Sequence, residues 1–155
     1  MNLLNGRKQI VILGGGCGGI VAATHLGRKL GSSHDVTLID RRADHIFMPA
    51  FLLLMVGQRQ PEDISRKLKL LEKRNVKVVQ AEIEGIDPVR QEVKLDSGSI
   101  HYDFLIVSLG MQTVPGLIPG FAEAAHHAWE MDAAVRLQRT LDSFQGGRIL
   151  VGIPL

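Results

Sequence analysis

The segment Gly14-Gly-Gly-Cys-Gly-Gly19 contains the spacing Gly-x-Gly-x-x-Gly and lies between an apolar run and a run with helical periodicity. At this spacing the first glycine permits a tight turn, the second lets a pyrophosphate approach the backbone, and the third lets helix and strand pack closely. Unpaired N–H groups at the start of a helix also attract phosphate. A glycine-rich turn without a ligand is the alternative interpretation. The predicted cofactor contacts are with Gly14, Gly15, Gly16, Gly18 and Gly19.

An aspartate stands 21 residues after Gly19, at the end of the next predicted strand. The carboxylate of Asp40 can accept hydrogen bonds from a ribose and would repel a 2′-phosphate, which favours FAD or NAD over NADP. Arg41 and Arg42 argue for NADP, because arginines often hold that phosphate. With the acid present, we interpret Arg41 as a lid over the adenine and Arg42 as a solvated residue; an ordinary charged loop is the alternative.

The elements that must position these residues follow from hydrophobic periodicity. Residues 9–13 and 36–39 are apolar and rich in β-branched side chains, as in strands buried on both faces. Residues 20–30 have apolar side chains at helical spacing, and Gly31 is a natural stop. Strand, helix and strand make a βαβ unit of about 30 residues, which requires a parallel pair of strands. Further buried strands are predicted at 76–79 and 103–110.

A second helix is predicted to begin at Pro61, because proline and the two acids that follow it suit a first helical turn. Its buried stripe would consist of Ile64, Leu68 and Leu71. From about 81 to 102 the pattern changes to short alternating runs separated by turn residues, which predicts a small antiparallel meander.

The last third of the chain begins with a loop rich in proline and glycine. A helix from about 132 to 144 is predicted to follow, with Ala134, Leu137 and Leu141 facing inward. The apolar run at the end of the chain predicts a strand over 148–153.

Length, charge and cysteine content limit the classes of protein. The chain has 155 residues, a formal net charge of +2 and one cysteine. It can therefore bury a core, and it cannot form an intramolecular disulfide framework or a cysteine-based zinc site. The small charge does not favour nucleic acid as a partner. The longest apolar stretch is shorter than the ~20 residues of a spanning helix, and no secretory signal pattern is present, so we expect a cytoplasmic protein.

The histidines give weaker signals. We interpret His25 as a helix-face residue and His45 as a loop residue, either of which could approach a cofactor. The adjacent pair His126-His127 has no carboxylate or cysteine at ligand spacing, so a surface loop is preferred over metal binding. We expect no metal site in this chain.

A second motif lies far along the chain: Tyr102-Asp-Phe-Leu-Ile-Val-Ser-Leu-Gly110, followed by Val114-Pro-Gly-Leu-Ile-Pro-Gly120. Together with the glycine-rich turn, it resembles the FAD domain of the glutathione-reductase-like superfamily of pyridine nucleotide-disulfide oxidoreductases. Within it, the likeness is to sulfide:quinone oxidoreductases and type II NADH dehydrogenases. The segment Phe47-Met-Pro-Ala-Phe51 is similar to a Phe-x-Pro run that approaches the flavin in those enzymes. Ser108-Leu109 stands where the family usually has Ala-Thr.

The resemblance implies an α/β fold: a Rossmann-like FAD-binding domain over residues 1–145, with a parallel sheet and a small antiparallel β-meander. Residues 146–155 would be the first strand of a truncated NAD(P)-binding domain. The resemblance adds Pro49, Ile83, Ser108 and Gly110 to the predicted cofactor contacts; for Ile83, a plain meander residue is the alternative. Because Cys17 lies in the pyrophosphate turn, we interpret it as a small packing residue and expect FAD to be bound non-covalently.

In function, the resemblance implies the FAD-binding portion of an oxidoreductase that passes electrons from sulfide or a related reductant to a quinone or similar acceptor. No catalytic residue is expected in this chain, which would not be catalytically complete. A type II NADH dehydrogenase fragment is one alternative, and a stand-alone FAD- or NAD-binding module without turnover is another. We also expect exposed apolar surface along 47–56, homo-oligomers, and, in a full-length form, peripheral contact with the inner face of a membrane.

Overall fold

The computed structural model describes residues 6–152, and these divide into two compact units. The first unit contains the described residues up to Phe47 together with Ile64–Gln112. The second contains Met48–Asp63 and the described residues from Thr113 onward. The domain boundaries given above, 1–145 and 146–155, stay a prediction.

The first unit carries most of the regular structure. Helix α1 spans Cys17–Leu30, and a 3-10 helix spans Leu68–Arg74. The strands, in chain order, are β1 (Gln9–Leu13), β2 (Asp35–Asp40), β3 (Asp44–Ile46), β4 (Ser65–Lys67), β5 (Val76–Gln80), β6 (Ile83–Asp87), β7 (Glu92–Leu95), β8 (Gly98–His101) and β9 (Phe104–Val107).

Four of these strands form the predicted parallel sheet, in the order β5-β2-β1-β9. From β1 the chain builds outward to β2 and β5, and it then returns to the other side of β1 with β9. The direction of strand order therefore reverses at β1. In open α/β sheets, ligands bind outside the carboxyl ends of the strands at such a point.

Alternate side chains of β1 belong to different cores, as the two-residue period of a strand requires. Ile10 and Ile12 lie in a cluster with Ala23 of α1, whereas Val11 and Leu13 lie in a second cluster with Val93 of the meander. Both faces of β1 are thus covered, which explains why the run is almost wholly apolar. The first unit has a helix on one face of the sheet and a meander on the other.

Helix α1 packs closely because its buried face is made of small residues. Gly19, Ala23 and Gly27 recur every fourth position and are all buried, and a Cβ added at Gly27 would lie 2.7 Å from the Cγ2 of Val76. The helix ends where predicted, at Gly31, whose positive φ of 55° is readily adopted by glycine.

The predicted meander is confirmed: β6, β7 and β8 form an antiparallel three-stranded sheet. Val93 and Leu95 of β7 are buried with Tyr102, which precedes β9. The meander connects the parallel strands β5 and β9. In most parallel sheets such a crossover connection is an α-helix.

The helix predicted from Pro61 is wrong. Residues 65–67 form β4, which pairs antiparallel with β3, and only Leu68–Arg74 is helical, as a 3-10 helix. The backbone N–H of Leu68 donates to the carbonyl of Ala43 at 2.9 Å. An extended segment followed by a 3-10 helix buries the same stripe that the periodicity indicated, so non-local pairing with β3 overrides the local pattern. The buried stripe consists of Ile64, Leu68 and Leu71.

The second unit is mainly helical. A one-turn 3-10 helix, Met48–Ala50, leads into α2 (Phe51–Met55), and α3 (Phe121–Ala124) precedes α4 (Met131–Asp142); a further 3-10 helix spans Pro115–Leu117. Helix α2 packs on α4. Phe51 and Leu54 of α2 and Ala133 and Ala134 of α4 are buried.

Helix α4 confirms the predicted element, but its buried residues differ from those expected. Ala134 is buried and Leu137 is half-buried, whereas Leu141 is 39% exposed. Helix α2 has only five residues, about 7.5 Å of helix. It is therefore too short to cover both ends of the 12-residue α4.

Apolar side chains are exposed both in the stretch 47–56 and in the run 148–152. Met48, Leu52, Leu53 and Val56 are exposed, as is Phe47 of the first unit, whereas Phe51 and Leu54 of the same run are buried. Residues 148–152 form no strand, contrary to the predicted strand over 148–153, whose last residue lies outside the described range. Leu150 is 93% exposed. An apolar run becomes a strand only when another strand pairs with it, and no strand among residues 6–152 does so.

Candidate functional site

The predicted site residues of the first unit gather at the carboxyl edge of the parallel sheet. Leu13, the last residue of β1, aligns with Ile39 of β2 and Val107 of β9. The turn that follows β1 is bonded to both neighbours: the N–H of Gly14 donates to the carbonyl of Ile39 at 2.8 Å, and the N–H of Ser108 donates to that of Leu13 at 2.8 Å. The end of β1 is therefore held between two strands.

Two glycines of the motif are required by close backbone contacts. Gly14 has a φ of +98°, and a Cβ there would collide with the carbonyl of Ser108. A Cβ at Gly19 would collide with the carbonyl of Gly14. These contacts match the tight turn and the close approach of helix and strand expected at these two positions.

Gly16 is in a different environment, because it is exposed and a Cβ there would meet no atom within 4 Å. Gly16 is the N-cap of α1; no side chain caps it, and none of the described residues in the first turn is acidic. The first N–H groups of the helix, at Cys17 and Gly18, have no intrahelical acceptor. Open space thus faces the positive end of the helix dipole.

The other two glycines lie against side chains. Gly15 is buried, and a Cβ there would lie 2.6 Å from the Cδ1 of Leu68. At Gly18, a Cβ would lie 2.6 Å from the Oγ of Ser108. Leu68 supports the turn on one side and Ser108 supports it on the other.

Asp40, at the end of β2, holds the turn directly. Its Oδ2 accepts a hydrogen bond from the N–H of Gly15 at 2.6 Å, and its Oδ1 accepts one from the N–H of Arg42 at 2.7 Å. Each carboxylate oxygen has a second lone pair, and Asp40 forms no ion pair within the described part of the chain. The carboxylate can therefore still accept a bond from a ribose hydroxyl.

His45 also contacts the turn, and the interpretation of it as a loop residue is wrong. It lies in β3, opposite Arg66 of β4, and its Nδ1 is 2.9 Å from the carbonyl oxygen of Gly15. No sequence signal identified this contact, because it depends on a strand pair whose members are about 20 residues apart. Leu68, the other support of Gly15, was predicted to be buried but not to contact the turn.

Arg41, Glu82 and Ile83 lie near one corner of this edge. The Nη1 of Arg41 is 3.8 Å from the Oε1 of Glu82, and both side chains are 54% exposed. The N–H of Ala81 donates to the carbonyl of Asp40 at 3.1 Å, which brings the start of the meander beside the end of β2. Ile83 is half-buried against the meander core. The contacts of Arg41 and Ile83 with an adenine stay predictions.

The remaining predicted residues are more dispersed. Gly110 follows the end of β9, is exposed and has a φ of +76°. Pro49 belongs to the second unit, in the 3-10 helix Met48–Ala50. Cys17 is exposed at the start of α1, so its interpretation as a packing residue is wrong. Among residues 6–152, no three histidine, cysteine or acidic side chains are grouped as metal ligands would be.

The opposite edge of the sheet has its own aspartate. The carboxylate of Asp103 accepts hydrogen bonds from the N–H of Gln9 at 2.8 Å and from the Nζ of Lys8 at 2.9 Å. The bond from the Gln9 N–H, followed by that from Lys8, lowers the pKa of the Asp103 carboxyl below its ordinary range. This group is thereby kept ionised and ties β9 to β1.

The residues of the carboxyl edge fit a dinucleotide. A diphosphate needs space and N–H donors at the backbone, which Gly16 and the first turn of α1 provide. A ribose needs an acceptor about one strand away, which Asp40 provides. The arrangement is thus suited to binding a cofactor. Over the described residues, no helix is both long and apolar enough to cross a membrane.

Comparisons with known proteins agree with this geometry. The family model for pyridine nucleotide-disulphide oxidoreductases matches residues 8–151. The sulfide-quinone reductase of Aquifex aeolicus is 36% identical over 149 residues, which cover 94% of this chain and 34% of that protein. A type II NADH:quinone oxidoreductase of Mycobacterium tuberculosis is 32% identical over 153 residues, which cover 94% of this chain and 32% of that protein.

Solved structures give the same result for the fold. The sulfide:quinone oxidoreductase of Aquifex aeolicus matches with a TM-score of 0.79 at 36% identity, over 87% of this chain and 32% of that one. NDH2 of Plasmodium falciparum matches with a TM-score of 0.72 at 22% identity, over 86% of this chain and 28% of that one, which shows a shared fold. The chain spans about a third of the length of these relatives. Proteins of the matched family bind FAD. On the family match and the shared fold, this chain belongs to the pyridine nucleotide-disulphide oxidoreductase family.

Proposed function

We propose that this chain is the FAD-binding part of a flavin-dependent oxidoreductase that passes electrons from sulfide or a related reductant to a quinone. The observation that carries the proposal is the open position at Gly16, which lies at the start of α1 and next to a turn held by Asp40. The similarity to the sulfide-quinone reductase of Aquifex aeolicus supports this choice of donor and acceptor.

The chain's own residues bind and orient the cofactor. The N–H groups of Cys17 and Gly18 donate to the diphosphate, and the dipole of α1 stabilises its negative charge. Asp40 accepts from the adenosine ribose and disfavours a 2′-phosphate. Arg41 covers the adenine, and the backbone of Ile83 contacts it. The side chain of Ser108 lies against the turn at Gly18 and supports it. By resemblance to the family, Pro49 approaches the flavin, and Gly110 belongs to the strand end that closes over the FAD.

When bound, FAD supplies the two-electron redox chemistry, and the protein determines where the cofactor lies. Residues 1–155 contain one cysteine, Cys17, which lies in the phosphate turn. We therefore expect FAD to be held non-covalently, with no other cysteine among these residues to deliver electrons to the flavin.

A second candidate is the FAD-binding part of a type II NADH dehydrogenase. The similarity to the enzyme of Mycobacterium tuberculosis, at 32% identity, is nearly as high as that to the sulfide-quinone reductase. The two candidates share the FAD site and differ only in the electron donor. A stand-alone module that binds FAD or NAD without turnover is the alternative from another class.

The exposed apolar residues of 48–56 support two further parts of the proposal. Contiguous exposed apolar side chains favour association with another surface. We expect the purified chain to form oligomers, measured by light scattering, and a longer form to sediment with anionic lipid vesicles.

The test is to purify the chain, reconstitute it with FAD, remove free cofactor and record the visible spectrum. Retained flavin absorbance supports the proposal, and its complete absence overturns it. Gly16→Val is the matched control, because its Cβ would enter the open space with no protein atom within 4 Å. We expect this variant to fold as the parent does and to retain no flavin.

Anaerobic additions of sulfide and of NADH to the reconstituted chain then test whether either donor can reduce the flavin bound to this chain. Bleaching by neither donor is expected from a chain that binds FAD and lacks the donor-side groups. Bleaching by sulfide alone would favour a complete sulfide-oxidising site, and bleaching by NADH alone would favour the second candidate.

A further inference from the structure

The contact between His45 and the glycine-rich turn fixes a single peptide group. The Nδ1 of His45 lies 2.9 Å from the carbonyl oxygen of Gly15. A carbonyl oxygen only accepts, so Nδ1 carries the proton and donates it. His45 is half-buried in β3. The pairing of β3 with β4 holds the backbone of His45 and of its neighbours Asp44 and Ile46.

The carbonyl of Gly15 and the N–H of Gly16 belong to the same peptide group. This bond is trans, since the described chain contains no cis peptide, and in a trans peptide the C=O and the N–H point in opposite directions. A donor that holds the Gly15 oxygen on one side therefore directs the Gly16 N–H to the other side. Gly16 is exposed, with open space beside it.

The neighbouring peptide groups are held as well. The N–H of Gly15 donates to Asp40 at 2.6 Å, and the carbonyl of Gly16 accepts from the N–H of Ile20 at 3.0 Å. The peptide between Gly15 and Gly16 is the one in the middle, and His45 is the side chain that orients it. In its absence the peptide could rotate, because neither glycine has a Cβ to restrict φ and ψ.

We propose that His45 is a positioning residue that directs the Gly16 N–H toward the diphosphate of the bound dinucleotide. This inference rests on the proposed FAD-binding function. His45 acts through the backbone of Gly15 and does not itself contact the cofactor. Its role is distinct from that of Asp40, which holds the preceding peptide and faces the ribose.

The test compares three substitutions at one position. His45→Leu removes the donor and keeps an apolar group of similar size. His45→Asn places an amide N–H the same number of bonds from the backbone as Nδ1, whereas His45→Gln places it one bond farther. His25→Leu is the control, because His25 is exposed on α1 of the same unit. The measurements are the Kd for FAD by flavin fluorescence and the Tm of the cofactor-free chain.

We expect His45→Leu to weaken FAD binding about three- to tenfold, the effect of one neutral hydrogen bond, with His45→Asn close to the parent and His45→Gln close to His45→Leu. The Tm values of the Asn and Gln variants should agree. The difference in FAD affinity between these two variants then reports the orientation of the peptide and not the stability of the fold. Nuclear magnetic resonance supplies a direct signal: FAD should move the Gly16 amide proton downfield in the parent and in His45→Asn, and less in His45→Gln.

Equal FAD affinity in the Asn and Gln variants would overturn the inference. So would a movement of the Gly16 amide proton on FAD addition that is as large in His45→Gln as in the parent. This comparison remains decisive if His45→Leu fails to fold. Failure of the proposed function is seen separately, since the parent chain itself would then bind no FAD.

Discussion

Two aspartates at opposite edges of one parallel sheet differ in the groups that their carboxylates bind. Asp103 accepts from the N–H of Gln9 and from the ammonium group of Lys8, and it joins β9 to β1 at the amino edge. Asp40 accepts from the N–H groups of Gly15 and Arg42 at the carboxyl edge, and within residues 6–152 it has no cationic partner.

The difference lies in what each carboxylate leaves available. At the amino edge a lysine neutralises the charge, and the bonds join two strands that are already paired. At the carboxyl edge the charge is not neutralised, and the adjoining turn opens toward solvent at Gly16. The same residue type therefore stabilises the sheet in one place and holds a binding turn in the other.

The largest expected effect is on the glycine-rich turn itself. Gly19→Ala brings a Cβ into the carbonyl of Gly14, so α1 and β1 must separate. We expect a loss of about 2 to 4 kcal/mol in the free energy of unfolding, measured by urea denaturation. The control is Gly85→Ala, because a Cβ there has open space; a similar loss in both variants would refute the steric explanation.

Asp40→Asn tests the carboxyl edge. Replacing the carboxylate weakens charge-assisted hydrogen bonds, each of which contributes about 1.5–3 kcal/mol, so FAD affinity should fall at least about tenfold. The variant should also discriminate less between ADP and ADP that carries a 2′-phosphate. Isothermal titration with the two nucleotides measures both effects. Equal preference for ADP in parent and variant would show that Asp40 does not face the ribose.

Asp103→Asn tests the amino edge through pH. The pKa of Asp103 is lowered in the folded chain, so its stabilising contribution is complete above the unfolded pKa of about 3.9 and is lost as the pH falls through the folded pKa. The variant should be less stable than the parent at pH 7, and this difference should shrink at pH 3. Urea denaturation at the two pH values measures it.

The matched control for this experiment is Asp96→Asn, in the turn between β7 and β8, where asparagine suits the position equally well. FAD affinity should not change in Asp103→Asn. A loss of affinity there, with the protein still folded, would remove the distinction between the two edges.

The smallest expected effect belongs to Arg41. Its ion pair with Glu82 is long and both side chains are half exposed, so Arg41→Gln should change the free energy of unfolding by less than about 0.5 kcal/mol. If Arg41 covers the adenine, FAD affinity should fall about two- to fivefold, the contribution of an exposed cation–π contact. Fluorescence titration of parent and variant decides whether the arginine is a lid or an ordinary surface residue.

Much of the first unit could be predicted because its signals are local. The run at 9–13 and the glycines that follow it specify a strand, a turn and a helix within about 20 residues, and the structure contains all three. Alternation from 81 to 102 likewise predicted the meander. In these segments, local propensity and tertiary packing favour the same conformation.

The errors arise where non-local pairing decides the structure. Ile64, Leu68 and Leu71 have helical spacing and are buried as predicted, yet the chain reaches that burial through β4 and a 3-10 helix. The position of His45 follows from the same pairing, so it could not be found from the sequence. The run 148–152 has the composition of a strand. Forming a strand also requires a second strand to pair with, and the composition of the run itself cannot provide one.

The ties on the glycine-rich turn have a consequence for the thermodynamics of binding. Glycine loses more backbone entropy on ordering than any other residue, yet Gly14, Gly15 and Gly16 are bonded within the protein to β2, Asp40, His45 and α1. The entropic cost of ordering these residues is incurred when the chain folds, and little of it remains when a cofactor arrives. Because the turn does not have to fold as FAD binds, we expect association that is not slowed by folding. We expect the affinity to be expressed in a slow dissociation rate.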